Sequence, residues 1–277
     1  MPDIHEELPE SLRYLSMEML RLRVHEAGYN FEDKISKDAP TEKDRVRRLE
    51  WAKTHKHRSE HGWLSYLQAV GDIKLYGWYP KSLQAKHRRL RVKKTWMLKS
   101  EKMKPGFLRP KEWFTREQWK KVRKVRILGF TCSNGATWNT ACPEPWNNHR
   151  FADIVERDFG PWLVRQFPHK GQLRILLDGE RLLHAPAPKA VFERLNFVVL
   201  ANWPPRSPEL NPQENVWSWV EKKLRKEEPK RENYDDFFRR LLRTLESVPP
   251  ATSRNLIKCM SRRIDAVIER KGGRLRY

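Results

Sequence analysis

The chain has 277 residues, 38% of them hydrophobic with 12 Trp, and carries 57 Lys and Arg against 35 Asp and Glu, a formal net charge of +22. That length and apolar content support a packed core and exclude wholesale disorder, while so large a positive excess asks for a polyanionic partner, nucleic acid first. Cys132, Cys142 and Cys259 form no C-x-x-C pair and suit a reducing compartment; no apolar run nears the ~18 residues of a membrane span, and the polar opening MPDIHEELPE is no secretory signal, so an intracellular protein is expected.

Residues 1–10 predict a ragged start. SMEMLRLRVHEAGYN predicts a helix with Ser16 as N-cap and Gly28 as its stop. APTEKDRVRRLEWAKTHKH predicts a second helix, capped by Thr41 with Asp44 three residues on, its apolar contacts supplied by Val46, Leu49 and Trp51. His55, His57 and His61 stand among Lys and Arg with no acidic or cysteine co-ligand, so a solvated basic face is expected there in place of a metal site.

SYLQAVGDIKLYGWYP predicts a strand. Residues 79–126 then hold 18 Lys and Arg against 3 Glu, interleaved with Trp96, Trp113 and Trp119. Packing is the expected role of these tryptophans, and insertion against bases the alternative. VRILGFTCSNGATWNTACPEP predicts a hairpin, with a strand over Arg126–Thr131 and a turn at 133–135. His149–Phe167 predicts a helix with Phe151, Ile154, Val155 and Phe159 on one face, broken or kinked at Gly160-Pro161. There follow an apolar strand (Ile175–Leu177), a helix near Lys189–Leu195, a second apolar strand (Phe197–Leu200), a helix opening at Pro212, and helices at about 234–246 and 252–270. Strands first, then alternating strands and helices, predict an α/β fold with a mixed sheet and helices on its faces.

A strand without alternation is buried on both faces, so its polar residue marks where it ends. Here that residue is Asp178, at a carboxyl edge where α/β sheets place ligands. In NPQE, Asn211 is the expected N-cap, Pro212 the first helical residue and Glu214 the third, so Glu214 reads equally as half of a capping box. The four prolines of WPPRSPELNP stiffen the loop that sets this helix against the sheet edge. Two carboxylates are too few for a two-metal site. Asp72 is the one aspartate between Asp44 and Asp153. It falls mid-strand among apolar and small residues, where a lone buried carboxylate is costly without a cation, and a surface strand position is its plain alternative.

Asp72, Asp178 and Glu214, the last two with 35 residues between them, resemble the catalytic triad of mariner-type DDE transposases. LLDGERLLH is similar to that family's aspartate strand with a histidine six residues on, here His184. NWPPRSPELNPQENVWSWVEKKL is similar to its proline-rich loop and glutamate helix. Weaker similarity runs from DRVRRLEWAKTHK through Asp72 and ILGFTCSNG to LIKCMSRRIDAVIERKGGRLRY, so the resemblance spans about residues 12–277. Ile73 stands where most members have Glu. Of the family's two helix-turn-helix units, only the last helix of the second is represented, by Ser16–Ala27, which implies an N-terminally truncated member.

The resemblance implies a ribonuclease-H-like mixed sheet flanked by helices. A helical remnant of the DNA-binding region and linker would occupy residues 1–60, and a catalytic domain 61–277, with a basic insertion at about 79–126 and C-terminal helices. Asp72, Asp178 and Glu214 would be catalytic and bind two Mg²⁺ or Mn²⁺ ions for phosphodiester hydrolysis and strand transfer at transposon ends. His184 and Glu180 would orient a ligand or the phosphate. Double-stranded DNA would be tracked by Arg88, Arg89, Lys93, Lys94, Lys120, Lys121, Arg123 and Lys124, with little regard for sequence. A homodimer would pair two ends in the nucleus (in the cytoplasm of a prokaryote), with no membrane and no small-molecule substrate involved. The alternatives are a catalytically inactive or domesticated transposase-derived nucleic-acid binder, and a structure-selective nuclease on the same fold.

Overall fold

The structure, a computed structural model, describes residues 16–33, 40–84, 94–98, 114–229 and 231–275. They belong to two units, one drawn from Met1–Ala39 and Lys81–Lys120, the other from Pro40–Pro80 and Lys121–Tyr277.

In the first unit a helix spans Met17–Glu26, its N-cap Ser16 accepting from the Met19 amide as expected. It stops at Gly28, whose φ of +85° is in the left-handed region that glycine occupies without strain. Tyr29–Asp33 pairs antiparallel with Lys94–Leu98. Trp119, on a short helix over Arg116–Lys120, meets Phe114 edge-on at 5.2 Å, the packing role expected of it. The side chains of Trp96, Trp113 and Lys94, and the whole of Arg88, Arg89 and Lys93, lie outside the described residues.

The second unit is built on a sheet of five strands: β1 (Ala69–Trp78), β2 (Arg123–Cys132), β3 (Thr137–Ala141), β4 (Leu173–Leu177) and β5 (Phe197–Val199). Their order is β3-β2-β1-β4-β5. β2 is antiparallel to both β1 and β3, while β4 and β5 run parallel to β1. The β2–β3 hairpin turns at Gly135, with φ at +102°. Parallel neighbours require crossovers, and helices supply them. In chain order the helices of this unit are α1 (Glu42–His55), α2 (Glu60–Tyr66), α3 (Asn148–Ile154), α4 (Gly160–Gln166), α5 (Pro186–Arg194), α6 (Pro212–Lys226), α7 (Tyr234–Glu246), α8 (Pro250–Lys258) and α9 (Met260–Glu269). This is the mixed, helix-flanked sheet the sequence predicts.

Alternation along the strands divides the core between two faces. Ala69, Ile73, Leu128, Phe130, Ile175 and Leu177 pack against Phe151, Phe159, Leu163 and Phe192 of the helical layer from α3 to α5. Val70 and Leu176, on the opposite face, meet Trp51, Trp63, Ile257, Met260 and Ile264 of α1, α2, α8 and α9. Tyr76, Val125 and Ile127 meet α6 and α7 through Trp217, Val220 and Leu241.

Four expectations are corrected. The strand begins at Ala69, because Ser65 and Tyr66 finish α2, whose N-cap Ser59 accepts from the Gly62 amide. Val46 points outward, 48% exposed, and α1 instead buries Arg48, Trp51, Ala52 and His55. His55 is no part of a solvated face: its ring stacks on Trp51 at 4.3 Å and Trp63 at 5.7 Å, with Nδ1 2.9 Å from the Trp51 carbonyl. Burial holds that imidazole below its ordinary value. The last predicted helix divides at Cys259 into α8 and α9.

The break expected at Gly160-Pro161 is absorbed by a π-helical turn over Val155–Phe159 that joins α3 to α4, with the Gly160 amide bonded to the Val155 carbonyl. Pro161 has no amide to give, so a wider turn just before it costs little. Gly160 itself has no room for a side chain, since a Cβ there would stand 2.5 Å from Leu195 Cδ1 and 2.7 Å from the Val155 oxygen.

Candidate active site

The parallel register of β1 and β4 pairs Gly71 with Leu177, and the Asp178 amide donates to the Gly71 carbonyl at 3.1 Å. One residue further on, Asp72 within β1 and Asp178 just past the end of β4 therefore stand side by side. Alternation puts Asp72, Lys74 and Tyr76 on the face covered by α6. Ile73 packs on the opposite face, against the α3–α5 core. A glutamate at position 73 would therefore point away from Asp72, so isoleucine there removes nothing from the carboxylate set.

The third carboxylate comes from α6. Asn211 caps this helix through its side chain, which accepts from the Gln213 amide at 3.0 Å, while the Glu214 amide bonds the Asn211 backbone carbonyl at 3.2 Å. Asn211 and the helix also hold Asp72. Its Oδ2 accepts from Trp217 Nε1 at 3.1 Å and Asn211 Nδ2 at 3.3 Å, and its Oδ1 from the Ile73 amide at 2.7 Å. Trp217 fits because the residue paired with Asp72 across the sheet is Gly129. A Cβ there would stand 2.2 Å from the indole.

The loop before α6 is stiffened by more than its prolines. Arg48 of α1 is fully buried beneath it. Its guanidinium donates to the Arg206 carbonyl at 3.1 Å, Ser207 Oγ at 2.6 Å, and the carbonyls of Gly272 at 2.8 Å and Gly273 at 3.1 Å. It is also ion-paired to Glu209, whose backbone carbonyl accepts from Arg263 at 2.9 Å. Sequence reasoning missed this clamp. Its trace was a helical stripe of Arg48, Trp51, Ala52 and His55 in which one core position is a cation.

Asp72 is 6% exposed. Burial, and then the charges of Asp178 and Glu214, hold its carboxyl well above the usual carboxylate range. Opposite these anions stands Lys74, also missed from sequence, with Nζ 3.7 Å from Glu214 and 3.3 Å from Glu221. Burial alone would pull that ammonium down, but Glu221 and Glu214 outweigh it and hold Lys74 above its ordinary value. His184 is exposed, and its Nε2 donates to the Asp178 backbone carbonyl at 2.8 Å, since a carbonyl can only accept. Glu180 is exposed beside them. Partial desolvation, opposed by Arg126 and assisted by Asp178, lifts its carboxyl above the ordinary range.

Carboxylate oxygens are hard donors of the kind Mg²⁺ and Mn²⁺ take. A buried aspartate raised by two neighbouring anions is a site in want of a cation, so the residues present fit a divalent ion. As the side chains stand, no group of three or more His, Cys, Asp or Glu among the described residues is drawn together closely enough to grip one. Of the expected DNA contacts, Lys120 is exposed in the first unit. Lys121, Arg123 and Lys124 are exposed at the start of β2, where the Arg123 guanidinium lies 3.7 Å from the Tyr234 ring centre.

Residues 86–237 match the DDE superfamily endonuclease family. The match takes in Asp178 and Glu214 and begins after Asp72. The chain is 22% identical to the Tc1 transposase of Caenorhabditis elegans over 263 residues, 95% of this chain and 88% of the relative. It is 21% identical to the Tcb2 transposase of Caenorhabditis briggsae, with the same shares covered. Among solved structures, the catalytic domain of Mos1 mariner transposase superposes with a TM-score of 0.63 at 14% identity, over 87% of this chain and 99% of that one. A pre-cleavage Mos1 transpososome gives 0.67 at 18% identity, over 98% and 75%. The five-stranded sheet and its helices thus have the ribonuclease-H-like architecture expected.

Proposed function

Because the chain belongs to the DDE superfamily endonucleases, we propose that Asp72, Asp178 and Glu214 are the carboxylates with which it holds divalent ions and carries out catalysis. The chain is a transposase-type endonuclease that acts on DNA, and it uses divalent cations. Two ions, Mg²⁺ or Mn²⁺, belong to the proposal. The observation that best supports it is the β1–β4 register, which sets Asp178 next to Asp72, itself bonded to the N-cap Asn211 and to Trp217 of the helix bearing Glu214.

When bound, such ions activate an attacking water or 3′-hydroxyl and neutralise charge on the leaving oxygen of an in-line displacement at phosphorus. The chain's own part is to hold its ligands still. Three donors fix the orientation of Asp72, so it is the other carboxylates that would draw in toward an ion. The Arg48 clamp and the Asn211 cap set where Glu214 begins its helix. His184 steadies the turn at Asp178 through the backbone carbonyl, and Glu180, beside it, is a further candidate for orienting the phosphate.

On this reading the same carboxylates first hydrolyse a strand at an element end and then join that end to target DNA. Mos1 transposase has been solved as a paired-end complex with its left transposon end, and a homodimer pairing two ends is the corresponding proposal here, working in the nucleus or, in a prokaryote, the cytoplasm. With supercoiled DNA and Mg²⁺ the protein is expected to nick, to stop on chelation, and to join a supplied 3′-hydroxyl end to a second duplex. Nicking without joining would favour a nuclease. DNA binding with neither activity, in Mg²⁺ or Mn²⁺, would favour a non-enzymatic binder.

Phosphate contacts position a protein without carrying sequence information. With on the order of six phosphates neutralised, log K should fall against log salt with a slope of about −5. Replacing Lys120, Lys121, Arg123 and Lys124 with Ala should flatten that slope and weaken an inverted-repeat end and a scrambled duplex alike. A hundredfold preference of the unaltered protein for the repeat would defeat the expectation of sequence-indifferent binding.

A further inference from the structure

Lys74 stands between two glutamates of α6, and only one of them, Glu214, is in the carboxylate set. Glu214 and Glu221 are seven residues apart, two helical turns or about 10.5 Å along α6. Lys74 lies two residues beyond Asp72 on β1, about 6.6 Å further along the strand on the same face. Its ammonium falls in the gap, 3.3 Å from Glu221 Oε1 and 3.7 Å from Glu214 Oε2. The three side chains are 31%, 43% and 26% exposed, in the order Lys74, Glu221 and Glu214, so the ammonium has room to move. A lysine on a four-carbon stem is a compact cation that changes partner by rotating its own torsions.

We propose that Lys74 is the built-in counter-ion of this site: its ammonium is shared between Glu214 and Glu221 while no metal is bound and passes wholly to Glu221 when divalent ions load. Lys74 and Glu221 are then positioning residues that together set metal affinity. The inference rests on the reading of Asp72, Asp178 and Glu214 as metal ligands. A divalent ion on Glu214 repels an ammonium that shares that carboxylate, and the repulsion decays with distance. Glu221 offers the displaced charge a resting place without sending it into solvent. The shared ammonium already lies nearer Glu221 than Glu214, so the move is short. Without Lys74 the carboxylate set loses the ammonium 3.7 Å from Glu214, which leaves a less stable metal-free protein and a stronger attractor for a cation.

The test is a calorimetric titration with Mn²⁺, together with thermal melts in chelator and in saturating Mn²⁺. It compares the unaltered protein with Lys74→Met, Glu221→Gln, the double variant and Asp178→Asn. Lys74→Met is expected to bind Mn²⁺ roughly tenfold tighter, to melt lower in chelator, and to regain the difference in Mn²⁺. Glu221→Gln should bind several-fold more weakly, and that loss should shrink to less than about twofold in the Lys74→Met background, because no ammonium remains to be received. Equal or weaker binding by Lys74→Met, or an equal Glu221→Gln effect in both backgrounds, overturns the hand-over. If Lys74→Met fails to fold, Glu221→Gln decides alone, and unchanged or tighter binding overturns it. Asp178→Asn separates the two claims. Mn²⁺ binding as tight as in the unaltered protein would remove the carboxylate reading itself, whereas loss of binding beside an indifferent Lys74→Met removes only the counter-ion.

Discussion

Asp178→Asn and Glu214→Gln should each lower metal-dependent strand cleavage by on the order of a thousandfold or more, equivalent to ~4 kcal/mol at about 1.36 kcal/mol per tenfold, without unfolding the protein. The amides keep the size of the carboxylates and remove the charge that offsets divalent ions. Folding should survive because neither side chain is buried among apolar atoms: Asp178 is half-buried at the end of β4, and Glu214 is 26% exposed. The start of α6 depends on the Asn211 side chain reaching Gln213, and on Pro212, not on a charge at position 214. Single-turnover nicking in Mg²⁺, with a thermal melt alongside, reads both halves. Near-normal nicking by either variant would move the site elsewhere, and a collapsed melt for Glu214→Gln would mean that this side chain is chiefly a helix-capping group.

Asp72→Asn should lose cleavage too, but with a folding defect. Both oxygens of Asp72 accept, from Trp217, Asn211 and the Ile73 amide. An amide nitrogen in either place sets donor against donor in a buried spot. A lower melt for Asp72→Asn than for Asp178→Asn is the expected signature of that difference.

Arg48→Met should destabilise the protein by about 3–5 kcal/mol, the usual cost of removing one member of a buried ion pair. The loss has three parts: Glu209, whose side chain is 8% exposed, is left in the interior with Arg274 at 3.5 Å and the Leu275 amide at 3.4 Å; the Gly272 and Gly273 carbonyls lose their donor; and the loop leading to Glu214 is released. Removing the second charge as well, in Arg48→Met with Glu209→Gln, should recover part of the deficit, because the orphaned carboxylate is the costliest of these. Urea denaturation measures it. A deficit under ~1 kcal/mol, or no recovery in the double variant, would mean that the clamp is not what holds the loop.

Much of the candidate site was legible because its signals are local. Asp178 declares itself by ending a wholly apolar strand, and Glu214 by following a proline-rich loop and a capping asparagine. The Thr41–Asp44 capping box was readable for the same reason and is present in the structure. What escaped depends on residues far apart in the chain. Nothing near Trp217 announces that its indole serves an aspartate 145 residues away, or that Gly129 must lack a side chain for it to do so. Nothing in the strand around Lys74 announces the two anions that α6 supplies. His55 was misread because basic neighbours in sequence are not neighbours on a helix face. The π turn could have been read: Phe151, Val155, Phe159 and Leu163 are all fully buried at intervals of four. In a regular α-helix each such step rotates the stripe by about 40°, and a wider turn is one way to bring it back to the core.

The clamp also has a consequence for how the protein is made. The hydrogen bond from Arg48 to Gly272 joins residues 224 apart. A ribosome adding roughly 5–20 residues per second would take on the order of 10–50 s to lengthen the nascent chain from one partner to the other. Throughout that interval Arg48 has been made, and its acceptors at 272 and 273 do not yet exist. The β2–β3 hairpin, whose partners are close in sequence, can form during translation, but the Arg48 clamp is complete only after residue 273 has been released. A growing chain of this enzyme thus carries Arg48 with only part of its acceptor set until its synthesis has passed that point.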